Sequence, residues 1–414
     1  MRHALRTLGP GLITGAADDD PSGISTYSQA GAAFGFGLLW TAIICLPLMA
    51  AIELMCARIG LVAKRGLASV LRSHYPPWVL WLACGLLVTA NTINIAADLS
   101  GMAAAAQLLV GVRSAWFTPA VAALLIAVLV FSSYERLCTI LKWLTLVLFA
   151  YAGAAVLARP PWLAVLRGTV VPHVELSRTY WITFVAILGT TISPYLLFWQ
   201  ASQEVEERRA RAHTAAHRGR HALKGELRDA RTDVTVGMVF SNVVMYFIIL
   251  TAGATLHAAG QRDVQTAAQA ASALRPLAGD ASALLFSLGI IGTGLLGVPV
   301  LAGSAGYAIA EAGAWRRGMD TRPYQAKHFY IVIAGAIVIG TVLALTGIDA
   351  ITMLIGAAVI NGVLAPPLIA IVLVVCNDAE VMGPHRNGWR LNTLGAIATA
   401  LMTAAAIMLI WSMM

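Results

Sequence analysis

Apolar runs of about twenty residues recur along the whole chain, separated by short polar or proline-rich segments. Since about 20 apolar residues in a helix cross a bilayer, each run is long enough for one crossing. The pattern predicts eleven spans, numbered in chain order: residues 10–36, 38–58, 79–110, 115–133, 138–158, 180–201, 234–257, 282–313, 328–347, 350–376 and 391–413. We therefore expect an all-α polytopic membrane protein that forms one transmembrane domain in a lipid bilayer.

Composition and charge support this class. Of 414 residues, 59% are hydrophobic and 12% are charged, whereas soluble domains usually carry about 25% charged residues. With the N-terminus inside, 22 of the 28 Lys and Arg residues fall on the inner side, which is the positive-inside pattern. This asymmetry predicts a cytoplasmic N-terminus in the plasma or inner membrane. It also accounts for the net charge of +8 without nucleic acid as a partner.

One long polar segment, residues 203–233, interrupts the apolar pattern between spans 6 and 7. Its acidic residues, such as Glu204 and Glu207, are mixed with basic residues such as Arg208 and Arg211. Mixed signs are typical of a solvated helix surface and not of a basic nucleic-acid-binding arm. We expect a helical connector on the cytoplasmic side.

Span 1 contains the sequence Asp18-Asp19-Asp20-Pro21-Ser22-Gly23. A carboxylate at bilayer depth is rare unless it faces a cavity, because its insertion costs about 2.5–3.5 kcal/mol. Proline interrupts a helix and glycine permits an unwound turn. Unwound backbone at this depth is tolerated only where protein or water satisfies it. The sequence therefore predicts a broken helix with an acidic cation site at the break.

Span 6 contains a second interruption, Gly189-Thr190-Thr191-Ile192-Ser193-Pro194-Tyr195. Alone it would be read as a proline kink, which is common in membrane helices. It lies five spans after the first break, and an odd spacing gives the two halves opposite topology. Paired breaks of this kind indicate an inverted repeat of five plus five spans, with substrate held between broken helices 1 and 6. The repeats would be residues 10–158 and 180–376, followed by span 11.

Span 3 carries a polar stripe, because Asn91, Asn94 and Asp98 share one helix face. The stripe admits two interpretations. It forms hydrogen bonds between helices, or Asn94 and Asp98, with Asn361 of span 10, line the ion path.

Asp18 and Asp19 also admit two interpretations. Consecutive helical residues point about 100° apart, so these two side chains cannot both face an ion held by Asp20. Either they surround the site and concentrate cations there, with Asp19 the nearer, or they pair with polar residues of other spans, such as Asn91, Asn94 or Asn361.

At these residues the chain resembles the Nramp family of divalent-metal transporters, from Gly9 through span 10. The family's span 1 motif Asp-Pro-Gly-Asn matches Asp20-Pro21-Ser22-Gly23. Its span 6 motif Ala-Thr-Val-Met-Pro-His matches Thr190-Thr191-Ile192-Ser193-Pro194-Tyr195, and its span 3 motif Asp-Leu-Ala-Glu matches Asp98-Leu99-Ser100-Gly101.

The resemblance implies a LeuT-like fold and a metal ion held at the two breaks. It implies that Asp20 is a ligand and that Ala17 and Thr190 offer backbone carbonyls. The family's asparagine ligand is replaced by Gly23, and its methionine ligand by Ser193. A thioether favours soft transition metals, whereas a hydroxyl is a hard ligand or simply leaves space. The metal residues implied are therefore Asp20, Ala17, Thr190 and Ser193.

The family's proton-linked histidine and glutamate are replaced by Tyr195 and Gly101. This combination looks like the branch of Nramp-related magnesium transporters. A roomy, oxygen-lined site suits a partly hydrated Mg²⁺, which dehydrates reluctantly, and also Mn²⁺. The residues expected around the ion or along its path are Asp19, Gly23, Thr191, Tyr195, Asp98, Asn94 and Asn361.

The function expected is therefore transport of divalent cations, Mg²⁺ and also Mn²⁺, without proton coupling and without a resident cofactor. Three alternatives stay open: a proton-coupled Mn²⁺ or Fe²⁺ importer, a sodium-coupled symporter of organic solutes, and a membrane sensor that transports nothing. An enzyme is not expected, since the chain has no nucleophile–base set, P-loop or metal-hydrolase helix. The sequence is compatible with a monomer and sets no oligomeric state.

Overall fold

The computed structural model describes residues 10–111, 113–131, 146–214, 223–319 and 321–413. In these residues the secondary structure is helical, with no strand. Residues 132–133 of predicted span 4 and 138–145 of predicted span 5 lie outside the described residues. The prediction of an all-α polytopic membrane protein is confirmed.

The first five spans contain one broken helix and four further helical segments. They are α1 (Pro10–Asp18) and α2 (Pro21–Phe34) in span 1, α3 (Trp40–Ala63) in span 2, α5 (Pro77–Val110) in span 3, α6 (Ser114–Phe131) in span 4, and α7 (Ala150–Leu157) in span 5. A 3₁₀ turn, Leu146–Phe149, leads into α7. Two short helices lie between or after spans: α4 (Leu67–His74) and α8 (Trp162–Val170).

The next five spans repeat this plan, with the break again in their first member. They are α9 (Arg178–Thr191) and α10 (Pro194–Thr214) in span 6, α11 (Leu223–Ala252) in span 7, α14 (Ser282–Ala312) in span 8, α15 (Lys327–Ala344) in span 9, and α16 (Ala350–Asn377) in span 10. A π-helical turn, Gly253–His257, extends α11. Short helices α12 (Ala267–Ser272), α13 (Arg275–Ala278) and α17 (Ala379–Met382) lie in loops, and α18 (Trp389–Met413) is span 11.

Nine helices of the described residues are long and apolar enough to cross a membrane. Span 1 is not among them because its break leaves helices of 9 and 14 residues. The described part of span 5 is a shorter apolar helix, Val147–Leu157. The nine helices and these two segments occupy the positions of the eleven predicted spans.

The segment predicted to be a helical connector, residues 203–233, is helical in its described part, and its cytoplasmic location stays a prediction. Helix α10 continues to Thr214 and α11 begins at Leu223, so most of this segment extends spans 6 and 7. Residues 215–222 lie outside the described residues. Glu, Arg and Ala favour helix strongly, so the helices continue beyond their apolar parts. An ion pair from Arg208 to Glu226, 3.3 Å between Nε and Oε2, joins the two extensions.

Glycines bring α1 against α11. A methyl group on Gly15 would lie 2.2 Å from the carbonyl oxygen of Gly237, and one on Gly237 would lie 2.1 Å from that of Gly11. Small residues permit such backbone contact between membrane helices. Asp233 adds polar contacts, because its carboxylate accepts hydrogen bonds from the backbone N–H of Gly11 (2.7 Å) and Leu12 (3.2 Å). The short helix before the first break is therefore held along one side by span 7.

Replacing Gly237 by alanine should destabilise the protein by about 3 kcal/mol, the upper part of the range for overpacking, because backbone atoms cannot rotate away. Gly335→Ala is the matched control, since a methyl group there meets nothing within 4 Å and alanine favours helix over glycine. Thermal unfolding in detergent should show a lower midpoint for Gly237→Ala only. Equal midpoints would contradict the close contact of α1 with α11.

Candidate functional site

The first break is organised by Asp20, which is the N-cap of α2. Its Oδ1 accepts hydrogen bonds from the backbone N–H of Gly23 (2.9 Å) and the hydroxyl of Ser22 (2.6 Å). Pro21 occupies the first position of the helix. Aspartate at the N-cap followed by proline is a favoured helix start. The sequence thus begins a new helix inside the apolar run, and it buries Asp18, Asp19 and Asp20 together.

The second break lies between α9 and α10, at Ile192 and Ser193. The Ser193 hydroxyl lies 2.9 Å from the carbonyl oxygen of Thr190 and 3.1 Å from that of Gly189. It can therefore donate to the free carbonyls at the C-terminal end of α9. The Thr191 hydroxyl likewise donates to the carbonyl of Ile187 at 2.7 Å. The Thr190 hydroxyl is buried and has no partner in the described part of the chain.

The two breaks contact each other directly. The Tyr195 hydroxyl, from the start of α10, donates to the carbonyl oxygen of Ala17 at 2.9 Å. Gly23 faces Thr190, since a methyl group on Gly23 would lie 3.1 Å from the Thr190 hydroxyl oxygen. The structure therefore brings Ala17, Gly23, Thr190 and Tyr195 together.

Asp98 of α5 lies across from Asp20, beside Gly297 of α14. A methyl group on Gly297 would lie 3.2 Å from Asp20 Cβ, 3.5 Å from Asp98 Oδ2 and 4.0 Å from the Ala17 carbonyl oxygen. Asp20 Cβ, one carboxyl oxygen of Asp98 and this carbonyl oxygen therefore approach one point beside Gly297. Neither oxygen of Asp98 has a hydrogen-bond partner among the described residues, although the Ser22 backbone N–H lies close by.

Asn94 and Asn361 form a reciprocal pair between spans 3 and 10. Asn94 Nδ2 lies 2.7 Å from Asn361 Oδ1, and Asn361 Nδ2 lies 3.1 Å from Asn94 Oδ1. Asn91 donates to the carbonyl of Leu301 at 2.8 Å. Asn91 and Asn94 therefore form hydrogen bonds between helices, as one interpretation of the stripe predicted. Asp98 forms no such bond with the described residues.

Asp18 and Asp19 contact a polar residue of another span, as one of the two interpretations predicted, but it is Ser241 and none of the three asparagines given as examples. Both approach the hydroxyl of Ser241 in α11, at 2.7 Å from Asp18 Oδ2 and 3.2 Å from Asp19 Oδ1. The asparagines are engaged with each other and with backbone carbonyls, and span 7 is the helix packed on α1. Asp19 is not closer to Ser241 than Asp18 is.

Two residues of this region were not predicted from the sequence. Ser241 has one signal, because Ser241-Asn242 is a polar pair inside the apolar run of span 7. Gly297 belongs to a glycine-rich stretch of span 8, and no sequence pattern separates it from the neighbouring glycines. In the described part of the chain, no group of three or more His, Cys, Asp or Glu side chains is placed to hold a metal ion. An ion at the breaks would therefore be held by no more than two such side chains, with backbone oxygens and water.

Comparison with solved structures supports the LeuT-like fold. The chain is similar to the manganese transporter of Eremococcus coleocola, solved with an aromatic bis-isothiourea compound: TM-score 0.76, 18% identity, covering 98% of this chain and 86% of that one. It is also similar to Mhp1, a nucleobase-cation-symport-1 family transporter in a closed conformation with bromovinylhydantoin bound: TM-score 0.54, 12% identity, covering 98% and 92%.

Sequence comparison finds a similar transporter and a matching family model. The divalent metal cation transporter MntH of Pectobacterium carotovorum subsp. carotovorum (strain PC1) is 26% identical over 412 residues, which cover 97% of this chain and 92% of the relative. The family model for natural resistance-associated macrophage protein-like proteins, Nramp, matches residues 11–412. The expectation that the chain is not an enzyme is thereby confirmed, because the members of this family are transporters. The chain belongs to the Nramp family.

Proposed function

We propose that this protein transports divalent metal cations through the space between its two breaks, with Mg²⁺ and Mn²⁺ as substrates. A relative named as a divalent metal cation transporter and a similar structure named as a manganese transporter support the substrate class. The whole chain acts as one transport domain in the plasma or inner membrane, with its N-terminus in the cytoplasm. The basic residues on that side of the bundle support this orientation.

The observation that carries the proposal is the pair Asp20 and Asp98 beside Gly297. Two carboxylates balance one divalent charge, and a buried charge is stable only when it is balanced or coordinates a metal. Both are hard oxygen ligands, as is the Ala17 carbonyl, and such ligands suit Mg²⁺ and Mn²⁺. Three protein ligands leave the rest of an octahedral shell to water, which Mg²⁺ keeps readily. The ion therefore passes in partly hydrated form.

Ser193 affects ion selectivity chiefly because it is not a methionine. Its hydroxyl faces the carbonyls of Thr190 and Gly189, and it places no soft sulfur at the break. Gly23 leaves the Thr190 hydroxyl facing the space without a covering side chain. Thr190 can then hydrogen-bond a water of the ion. This arrangement favours hydrated hard cations over dehydrated soft ones.

Transport proceeds without accompanying protons. Tyr195 holds the breaks together through its hydrogen bond to Ala17. Gly101 lies against Leu354 and Pro21, where a methyl group would be 3.0 Å and 3.4 Å from their side chains. Neither residue can shuttle protons near neutral pH. The competing function is a proton-coupled manganese transporter, which the named manganese transporter favours.

Purified protein in liposomes should take up Mg²⁺ and Mn²⁺ saturably, with no acidification of the lumen above leak. Asp20→Asn should reduce uptake at least 100-fold, because it removes one of two ligand charges and leaves one positive charge of the buried ion unbalanced, an effect of about 3 kcal/mol or more. Asparagine caps helices as well as aspartate does, so the fold should persist. The control is Asp280→Ala in an exposed loop.

Two results would contradict the proposal. If the Asp20→Asn and Asp280→Ala variants take up metal equally well, the metal site does not lie at the breaks. Metal-dependent acidification would favour the proton-coupled alternative.

Gly297→Ala should fill the space between Asp20 and Asp98 and expel water from the ion. The expected result is a rise of about 5- to 100-fold in the apparent dissociation constant for Mg²⁺, corresponding to about 1–3 kcal/mol of overpacking. The control is Gly289→Ala on the same helix, where a methyl group meets only Leu148 Cδ2 at 3.4 Å. Isothermal titration would compare the two variants. Identical affinities would show that the ion does not lie beside Gly297.

Restoring the family's side chains, as Gly23→Asn with Ser193→Met, should shift preference from Mg²⁺ towards Mn²⁺ and Cd²⁺. The asparagine would fill the space facing Thr190, and the thioether is a soft ligand. Competition uptake would measure the ratio, after a melting curve has shown that the double variant is folded. An unchanged ratio would place selectivity elsewhere.

A further inference from the structure

A cavity of about 640 Å³ opens at the end of the bundle where span 3 finishes. It lies between the last turns of α5, the start of α6, the start of α12 and the segment that joins α15 to α16. Gln107 and Asp349 are exposed at its mouth, whereas Ser100 and Ile351 at its floor are buried. Ser100 and Gly111 both line it, and their separation along α5 gives a depth of about 16 Å.

The lining of this cavity suits water and a hydrated ion. Hydrocarbon cannot satisfy polar groups, and polar side chains line the cavity from mouth to floor: Ser100, Gln107, Ser114, Thr118, Thr266 and Asp349. Of the described residues that line it, Asp349 alone is charged, and a negative charge at the mouth attracts cations. The six waters of a Mg²⁺ shell occupy about 180 Å³, at about 30 Å³ each. The cavity therefore admits the ion with its whole water shell.

Gly101 lies between this cavity and the divalent site. Successive residues of a helix are about 100° apart, so Gly101 lies between the face of α5 that carries Ser100 and Ala104 and the face that carries Asp98. Ser100 and Ala104 line the cavity, and Asp98 approaches Asp20 beside Gly297. The cavity floor and the divalent site thus adjoin the same glycine.

Leu354 of α16 fills the space beside this glycine. A methyl group on Gly101 would lie 3.0 Å and 3.4 Å from the two Leu354 δ-carbons and 3.4 Å from Pro21 Cβ. Leu354 is buried, and it lies one turn beyond Ile351 of the cavity floor. With Ala97 and Ile351 it belongs to a small apolar cluster that is separate from the main core. One turn of α16 therefore separates the cavity from the residue that follows Asp20.

We propose that this cavity is the outer entrance of the ion path and that Leu354, seated on Gly101, is the gate between the entrance and the divalent site. The inference rests on the proposed transport function, whose orientation places the end of span 3 outside. An apolar constriction stops ions because water does not fill it. The gate is closed in this structure, since Leu354 contacts the space at Gly101 and is not exposed to the cavity.

The gate gives Gly101 a specific role. A side chain at this position would occupy the space that Leu354 uses, so its absence allows the gate to close. Because the obstructing group is the end of a flexible side chain, a rotation of Leu354 or a small movement of α16 would open the path. Residue 101 thereby determines how tightly the divalent site is sealed from the entrance.

The entrance is tested by modification of single cysteines in the purified full chain in detergent, with a positively charged methanethiosulfonate. Ala104→Cys lies on the cavity wall, whereas Ala106→Cys is the matched control, since Ala106 is half-buried on the same helix and does not line the cavity. Ala104→Cys should react about 10-fold faster or more, because a thiol reacts where water reaches it. Rates are measured above those of the parent chain, whose described cysteines are buried. Equal rates would overturn the water-filled entrance.

The gate is tested with Ala97→Cys as a reporter, because Ala97 is 0% exposed in the apolar cluster that contains Leu354. Adding Leu354→Ala should raise the reaction rate of the reporter about 10-fold or more, since water then passes the constriction. Leu368→Ala is the control, a buried leucine of the same helix. Gly101→Ala, which displaces Leu354 without shortening it, should also raise the rate and serves if Leu354→Ala does not fold. Rates that match those of Leu368→Ala would overturn the gate.

Transport separates this inference from the proposed function. A bulky maleimide attached to Ala104→Cys before reconstitution should abolish Mg²⁺ uptake into liposomes, whereas the same group on Ala106→Cys should not. Full uptake by modified Ala104→Cys would overturn the cavity as the entrance. If the unmodified parent chain moves no divalent cation, the proposed function fails, and the reaction rates of Ala97→Cys still decide whether Leu354 closes the cavity.

Discussion

The constraint on which the rest of this structure depends is the absence of bulk water at two places where the helices are interrupted. Each interruption leaves backbone donors and acceptors that must be satisfied inside the protein. Asp20 satisfies the start of α2, and Ser193 satisfies the end of α9. The remaining carbonyl of Ala17 receives the Tyr195 hydroxyl from the opposite break. Because the partners come from both broken helices, the breaks are held side by side.

Close packing then determines the size of the space at the breaks. Gly11, Gly15 and Gly237 bring α1 against α11, and Gly189 brings α9 against α16, where a methyl group would lie 2.1 Å from the Ala358 carbonyl oxygen. Helix α14 packs extensively on α5, which places Gly297 beside Asp98. The dimensions of the site therefore follow from contacts between helices that are distant in sequence. A single methyl group at one of these contacts changes what can bind.

These contacts also explain how far the sequence could be interpreted. The breaks were predictable, because proline and three carboxylates inside an apolar run have few structural explanations. Asp20 was predictable as the break's acidic residue from its position before Pro21. Ser241 was not, since a lone serine in an apolar helix is compatible with any neighbour until the packing of span 7 on α1 is known. The described parts of the connector continue helices α10 and α11, because its Glu, Arg and Ala residues favour helix as the apolar residues before and after them do.

Helix α1 is held at both ends, and this has a consequence for transport. At its first turn, Asp233 accepts two backbone hydrogen bonds and Thr14 bonds Gln200 at 2.6 Å. At its last residue, Asp18 contacts Ser241 of the same helix α11 that carries Asp233. Because Gln200 belongs to α10, α1 is held by both α10 and α11, and it moves only with these neighbours or by releasing them. A divalent ion at Asp20 and Asp98 would tie α2 to α5 on the other side of the break. The unwound segment between α1 and α2 would therefore transmit the occupancy of the divalent site to α1 and its contacts with α10 and α11.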